Sequence, residues 1–439
     1  MTRIARLLLA LCAGGCTCLA PVPGHAPELP SPLEEAPAAF DGLPNGLVDE
    51  ATHQADREAF DEAEGIDDGL GPLHNAQSCR ECHQNPASGG NSQVTELRAG
   101  HRDGEGRFVS PSIPIAGGAE VVTGRTLVND RAICPSREFP DQEIQERVPE
   151  SETIRTERVS LGLLGDGLVE LVSDDLLRSF AGWQCRETGG RICGKAIVVP
   201  VLEAPGTYAV GRFGWKSQHA SLLSFAADAY LNEMGITSRL LPDEVTELCD
   251  TVADPEDRPH GGGLADIDRF ARFVRATKAP PRDAALAGTA AAVKGSALFD
   301  AVGCATCHVR TLATAPAGTS FHGGTLVVPP ALGGKAFHPF GDFLLHDVGT
   351  GDGVALAVSE HHGKAYLAMQ PQFELTANRL RTPPLWGLRT RSRLMHDGLS
   401  LTPRDAILRH RGEADDARRR FERLSQEEQE ALLAFLRSL

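Results

Sequence analysis

Apolar positions recur at helical spacing in a few separated stretches, with long polar and glycine-rich runs between them. Residues 46–65, GLVDEATHQADREAFDEAEG, predict an acidic helix leading into a cysteine-containing turn. From Gln84 to Pro149 the chain is rich in Gly, Ser, Pro and Arg and has no clear helical period. Apolar spacing returns over 155–180, where Ser173-Asp174-Asp175 has the form of a helix start. Residues 194–215 alternate enough to predict a short hairpin, and 217–237 a helix closed by Gly235. The chain changes character around Ala279-Pro280-Pro281-Arg282, which is where a domain boundary is placed. Beyond it, 284–308 reads as an Ala-rich helix ending in a second cysteine-containing turn. Near the C-terminus, Thr402 is an N-cap with Pro403 at the first helical position and Asp405 three residues past the cap. Ser425 and Glu428 form a capping box, and Leu432, Phe435, Leu436 and Leu439 share one face of a final helix. These elements predict a mainly α fold with long loops and a small β-containing insertion in the N-terminal half.

At 439 residues the chain has room for two domains, or for one with large insertions. Its 41% hydrophobic and 23% charged residues are those of a soluble globular protein, while 46 Gly and 29 Pro imply many turns. The net charge of −16, without a basic stripe, argues against nucleic-acid binding. It suits a basic partner, or simply a solvated surface. Residues 1–20 have the form of an export signal: Arg3 and Arg6, then the apolar run Leu7 to Cys12, then Ala13-Gly14-Gly15. The run AGGC resembles a lipobox, which would make Cys16 a lipid anchor to a membrane; a plain cleaved signal is the alternative. Either way the expected location is periplasmic or exported. Residues 21–45 then read as a Pro-rich tether, 46–278 as an N-terminal domain and 279–439 as a C-terminal one.

Export changes the reading of the eleven cysteines. Cys12, Cys16 and Cys18 fall in the signal, and four more in two repeated motifs, leaving Cys134, Cys185, Cys193 and Cys249. An even remainder in an oxidising compartment suggests two disulfides, with three pairings open. The turn-like RETGGRI between Cys185 and Cys193 favours joining those two, and Cys134 to Cys249, over four unlinked thiols.

The repeated motif is Cys-x-x-Cys-His, in SCRECH (78–83) and GCATCH (303–308). This is the attachment signature of c-type haem: two thiols on one turn reach the two vinyl groups of a porphyrin edge, and the next residue gives its imidazole to iron. A zinc site would need a second ligand pair some 15–20 residues away, and a redox Cys-x-x-Cys a thioredoxin-like βαβ unit; neither is present. The expected cofactors are therefore two covalently bound c-type haems. Cys79 and Cys82 with His83 hold one, and Cys304 and Cys307 with His308 the other, each in a cytochrome c-like domain.

Six segments, GLGPLHNAQSCRECH, GRFGWKSQHASLLSFAADAYLNEMGIT, FGDFLLHDVGTG, LRTPPLWGL, LMHDG and DAILRHRGEADDA, together resemble the bacterial dihaem oxidoreductases. That family is related to the dihaem cytochrome c peroxidases and is often labelled thiol oxidoreductase. The resemblance runs in interrupted form from about Gly69 to the C-terminus. It implies His410 as sixth ligand of the C-terminal haem, which would make that haem an electron store, and a reactive N-terminal haem. Glu170 matches an acidic position that would serve acid–base catalysis, and Trp215 becomes a bridge between the haems. A surface role for His410, a helix-start role for Glu170 and a core role for Trp215 are the bland alternatives. His101 is a candidate plug for the N-terminal haem; His346 and His396 are expected to hold loops or propionates. The Arg381-Thr382-Pro383 loop resembles a calcium-binding segment between the haems, here without a clear acidic cage. Two departures stand out: His74 where relatives carry an aromatic residue, and a long connection containing His361-His362.

The leading expectation is an exported, peroxidase-like dihaem enzyme. It would take electrons from a small redox protein at the C-terminal haem and reduce peroxide or a similar small oxidant at the N-terminal one. An electron-transfer protein with no reactive haem, or haem oxygenase-type chemistry on an organic substrate, are the alternatives.

Overall fold

The computed structural model describes residues 26–29, 33–259, 263–356, 360–361, 364–365 and 373–439. The export signal, Cys16 and His362 lie outside the described residues.

Eleven helices fall among them. They are α1 (Glu50–Asp61), α2 (Cys79–Cys82), α3 (Asp166–Glu170), α4 (Asp174–Glu187), α5 (Leu222–Met234), α6 (Asp266–Ala276), α7 (Ala284–Ala287), α8 (Ala290–Val302), α9 (Pro403–Arg409), α10 (Asp415–Arg423) and α11 (Gln426–Arg437). Their starts follow local chemistry. The Ser173 side chain accepts from Leu176 N, Thr402 from Asp405 N and Ser425 from Glu428 N, each as the sequence predicts. Gly235 closes α5 at φ 70°, a conformation that favours glycine. The Ala-rich stretch is two helices: Thr289 caps α8 after a break at Gly288. No described helix is long and apolar enough to cross a membrane.

The mainly α expectation does not hold. The structure is 32% helical and 16% strand, with many small sheets. Much of the strand comes from 84–159, which lacks helical period because it is extended. Thr95–Arg102 pairs antiparallel with Ile154–Val159, Leu127–Val128 and Phe108–Val109. Frequent Gly and Pro keep most other strands to two or three residues. The hairpin Val198–Pro200 with Tyr208–Val210 is present.

Part of the expected tether is folded. Glu34–Glu35 runs parallel to Lys335–Phe337, which also pairs with Leu312–Ala313. Buried Asn45 donates its amide to the carbonyls of Arg275 and Thr277. Nor does the core stop at 278/279: Phe60, Leu168, Phe213 and Phe270 share one cluster with Phe343 and Trp386. A second cluster, around Phe299, Phe421, Leu432 and Phe435, joins α8, α10 and α11. Disulfides join Cys185 to Cys193 and Cys134 to Cys249, the pairing favoured from sequence.

The α8–α11 contact is close enough to test. A Cβ on Gly295 would sit 1.9 Å from the Ala431 carbonyl oxygen. Gly295→Ala must push the helices apart, and should cost about 1–3 kcal/mol, read as a lower urea midpoint.

Candidate haem sites

In the C-terminal half, α8 ends at Gly303 with φ 98°, and a tight turn over Cys304–Thr306 follows. The His308 N–H closes that turn on the Cys304 carbonyl at 3.0 Å, which brings both thiols and the imidazole to one side. His308 Nδ1 donates to the Phe340 carbonyl at 3.0 Å, which leaves the Nε2 lone pair free. Burial, assisted by the imidazole of His410, pushes His308 down to about 4, so it is neutral. His410 caps α9 and donates its own Nδ1 to the Ala406 carbonyl at 2.7 Å; burial lowers it as well. Both imidazoles line a cavity of about 750 Å³ walled by apolar side chains such as Phe299, Leu388, Ile407 and Leu436.

In the N-terminal half, α2 is the single turn from Cys79 to Cys82, and the His83 N–H bonds back to the carbonyls of Cys79 and Arg80. His83 packs beside Phe60, and burial pushes it down to about 4. Its Nδ1 has no hydrogen-bond partner among the described residues. The cavity here is smaller, about 250 Å³, and more strongly charged, with Glu96, Arg98, Arg158, Asp228 and Glu233 on its walls.

These residues fit haem. All four motif thiols are free, whereas the other four described cysteines are paired. Burial raises Cys79 and Cys82 above the usual thiol range, so they remain neutral thiols. The larger cavity falls within the ordinary size of small-molecule sites. His83, His308 and His410 each present an imidazole to a cavity in the neutral form that iron requires.

The two cavities differ in what faces the motif. His410 and His308 share the C-terminal cavity. In the N-terminal cavity the second imidazole is His219, whose Nε2 is held 3.1 Å from Asp228. His101 is not there: it lies on Thr95–Arg102, with Nδ1 2.7 Å from Glu152. His74 is buried on the strand Leu73–His74, outside both cavities.

A common wall separates the cavities. Val159, Leu161, Trp215 and Arg381 line both. The Trp215 indole donates to the Val159 carbonyl at 2.8 Å, and its own carbonyl accepts from Arg381 N at 2.8 Å. His396 meets the indole edge-on with ring centroids 6.1 Å apart. Beside it, buried Lys216 lies 2.8 Å from Asp352, which also pairs with Arg158. Burial pushes Lys216 down to about 7 against the pull of Asp352. His346 lines the C-terminal cavity with both nitrogens engaged, by Asp342 at 2.9 Å and Glu413 at 2.8 Å, and it lies 3.7 Å from the Cys307 sulfur.

Glu170 corrects an expectation. It is fully buried but lines neither cavity. Burial alone would raise it; instead Arg275, at 2.6 and 2.9 Å, holds it well below the usual carboxylate range. Leu222 N donates to it at 2.8 Å, so this ionised carboxylate clamps α3 to α5 and α6. The acid–base candidates are Glu233 and Glu96, overlooked in the sequence. Glu233 on α5 and Glu96 on Thr95–Arg102 meet within hydrogen-bonding range at the N-terminal cavity. Burial and the Glu96 charge raise Glu233, while Arg98 at 2.6 Å keeps Glu96 ionised against its own burial. The pair therefore shares one proton. Two acids, Asp228 and Glu233, in a largely apolar helix are the available signal.

The Arg381-Thr382-Pro383 loop borders the C-terminal cavity. Among the described residues, the group Cys307, Asp342 and His346 lies beside it, since Leu345 pairs with Arg381 and His346 with Leu380, whereas the two all-carboxylate groups close enough to hold an ion fall between Glu244 and Glu256.

Among solved structures, hydrazine synthase from Kuenenia stuttgartiensis is 13% identical over 100% of both chains, with a TM-score of 0.38. A MauG-like protein associated with microbial copper homeostasis is 20% identical over 40% of this chain and 52% of its own, with a TM-score of 0.24. Both are too distant to carry an argument. No curated protein matches the chain. A family model described as "Di-haem oxidoreductase, putative peroxidase" matches residues 132–439, from just before the first disulfide cysteine to the last residue. That match covers well over half the sequence and takes in the second thiol–thiol–imidazole turn, and the chain belongs to the di-haem oxidoreductase family.

Proposed function

We propose that the protein is an exported, peroxidase-type dihaem enzyme, with one haem fixed by thioethers to Cys79 and Cys82 and the other to Cys304 and Cys307. The observation that carries the reading is the asymmetry of the cavities: two neutral imidazoles line the C-terminal one, while the second imidazole in the cavity of His83 is His219, which is tied to Asp228. Bound haem supplies the redox centre and the iron at which an O–O bond is cut, leaving placement, access and protons to the chain. His308 and His410 would hold the iron of the C-terminal haem between them, which would suit electron storage. His83 would hold the N-terminal haem alone, and Glu233, on the wall of the same cavity, would supply a proton to a reduced oxygen there. Trp215 lies on the path between the cavities. The electron donor is a small redox protein, drawn by the net charge of −16 if its own surface is basic. Two disulfides agree with an oxidising compartment, and Cys16 is the candidate lipid anchor.

The test is spectroscopic. Resting and half-reduced holo-protein should contain one low-spin haem and one that binds cyanide or peroxide, with turnover of peroxide at the expense of a reduced donor. Two inert low-spin haems would leave only a relay. Trp215→Phe should slow electron passage between the haems roughly 10-fold or more, equivalent to about 1.4 kcal/mol of barrier, while each haem keeps its own spectrum. Stopped-flow reduction measures it.

A further inference from the structure

The loop joining α5 to α6 gathers acidic residues that the redox reading does not use. Glu244 is only 1% exposed. Its Oε1 has no hydrogen-bond partner among the described residues, and its other oxygen accepts only from the adjacent Val245 N at 3.1 Å. A buried carboxylate in that condition is costly unless a cation meets it. Oxygens of Glu244, Asp254 and Glu256 all lie within 4.8 Å of one another. Calcium holds its oxygens at 2.3–2.6 Å, so ligands on opposite sides of one ion are separated by roughly 4.6–5.2 Å.

Among the described residues, no side-chain cation meets this carboxyl. The charged groups acting most strongly on Glu244 are Glu256, Asp254 and Asp250, each of the same sign. Arg258 turns away to the carbonyls of Ala253 and Pro255, and Arg239 forms a two-pronged pair with Asp268. The Thr237 hydroxyl contacts both Asp254 Oδ1, at 2.7 Å, and Glu256 Oε2, yet it has one proton for the two. Thr237 N also donates to Glu256, and Thr237 Oγ1 accepts from Glu256 N. Glu247 and Asp250 form a second close group with Asp254, and this group is more exposed.

We propose that Glu244, Asp254 and Glu256 bind a hard divalent cation of the calcium class. Oxygen is the sole donor type, which disfavours zinc and copper, and the near-complete burial of Glu244 favours an ion that sheds its water readily over magnesium. The ion ties the loop to Thr237, two residues beyond Gly235 at the end of α5. Cys249, in the same loop, is already fixed to Cys134. The device braces the helix that carries Glu233, and it does not depend on how the haems react.

Haem-loaded full-length protein is stripped with chelator and titrated with calcium by calorimetry, with thermal unfolding followed in parallel. The expected result is calcium binding that raises the unfolding temperature, with magnesium much less effective. Glu244→Gln and Asp254→Asn should each weaken the affinity by about tenfold or more, since affinity follows ligand charge. Asp254 is exposed, so its variant stays informative if Glu244→Gln folds poorly. Absence of calcium binding in the wild type overturns the proposal. So does unchanged affinity in Asp254→Asn, which would put the ion elsewhere.

Discussion

Glu233→Gln is expected to lower peroxide turnover by roughly 10²–10⁴-fold, the usual worth of a placed general acid, with both haems retained. The size follows from the pairing. Glu96, ionised beside Arg98, and the burial of Glu233 together keep a proton on Glu233 where a free carboxyl would have lost it. Glutamine preserves the shape and the bond from Asn75, which donates to Glu233 at 2.9 Å, but has no acidic proton to deliver. The pH profile is the sharper readout. Because the pKa is raised, the delivering form is complete at acidic pH, and wild-type activity should fall as pH rises through the shifted value. The residual activity of Glu233→Gln should lack that limb. Stability carries the same sign: a carboxyl raised on folding contributes below its unfolded pKa and loses that contribution as pH climbs through the folded one. The glutamine variant should therefore be the more stable protein at alkaline pH. Wild-type turnover with an unchanged pH limb in Glu233→Gln would remove the pair from the reaction.

His410→Ala is expected to convert the C-terminal haem from low to high spin while leaving the N-terminal one as it was. The Nδ1 bond to the Ala406 carbonyl fixes the tautomer and the ring direction, so Nε2 is already committed to the cavity shared with His308. Alanine leaves an open iron position that cyanide should now fill, and added imidazole should restore the low-spin spectrum. An unaltered spectrum would mean that His410 is a cavity wall and nothing more.

Both variants depend on residues whose roles were unequally legible. Short-range signals carried well: the thiol pairs, the caps at Ser173, Thr402 and Ser425, the Gly235 stop and the Cys185–Cys193 turn all act over a few residues. Fold class did not, because extended segments such as 95–102 take their identity from a partner strand some fifty residues away. The same distance explains Glu170. The family resemblance implies an acid available for catalysis, and only the fold brings up Arg275 to hold it ionised. Glu233 was hidden by the reverse effect, since its meaning lies in Glu96 across the cavity. The core that runs through 278/279 was likewise unreadable, because composition marks a change of segment and not the packing across it.

Every functional step above presumes two porphyrins anchored in one chain. Intact-mass spectrometry of denatured protein, exported from a host that carries the c-type haem maturation machinery, measures this directly. The expected polypeptide is heavier than its sequence by two haems, falling to one when Cys79 and Cys82, or Cys304 and Cys307, are changed to serine. A denatured wild-type chain that carries no haem would contradict the account.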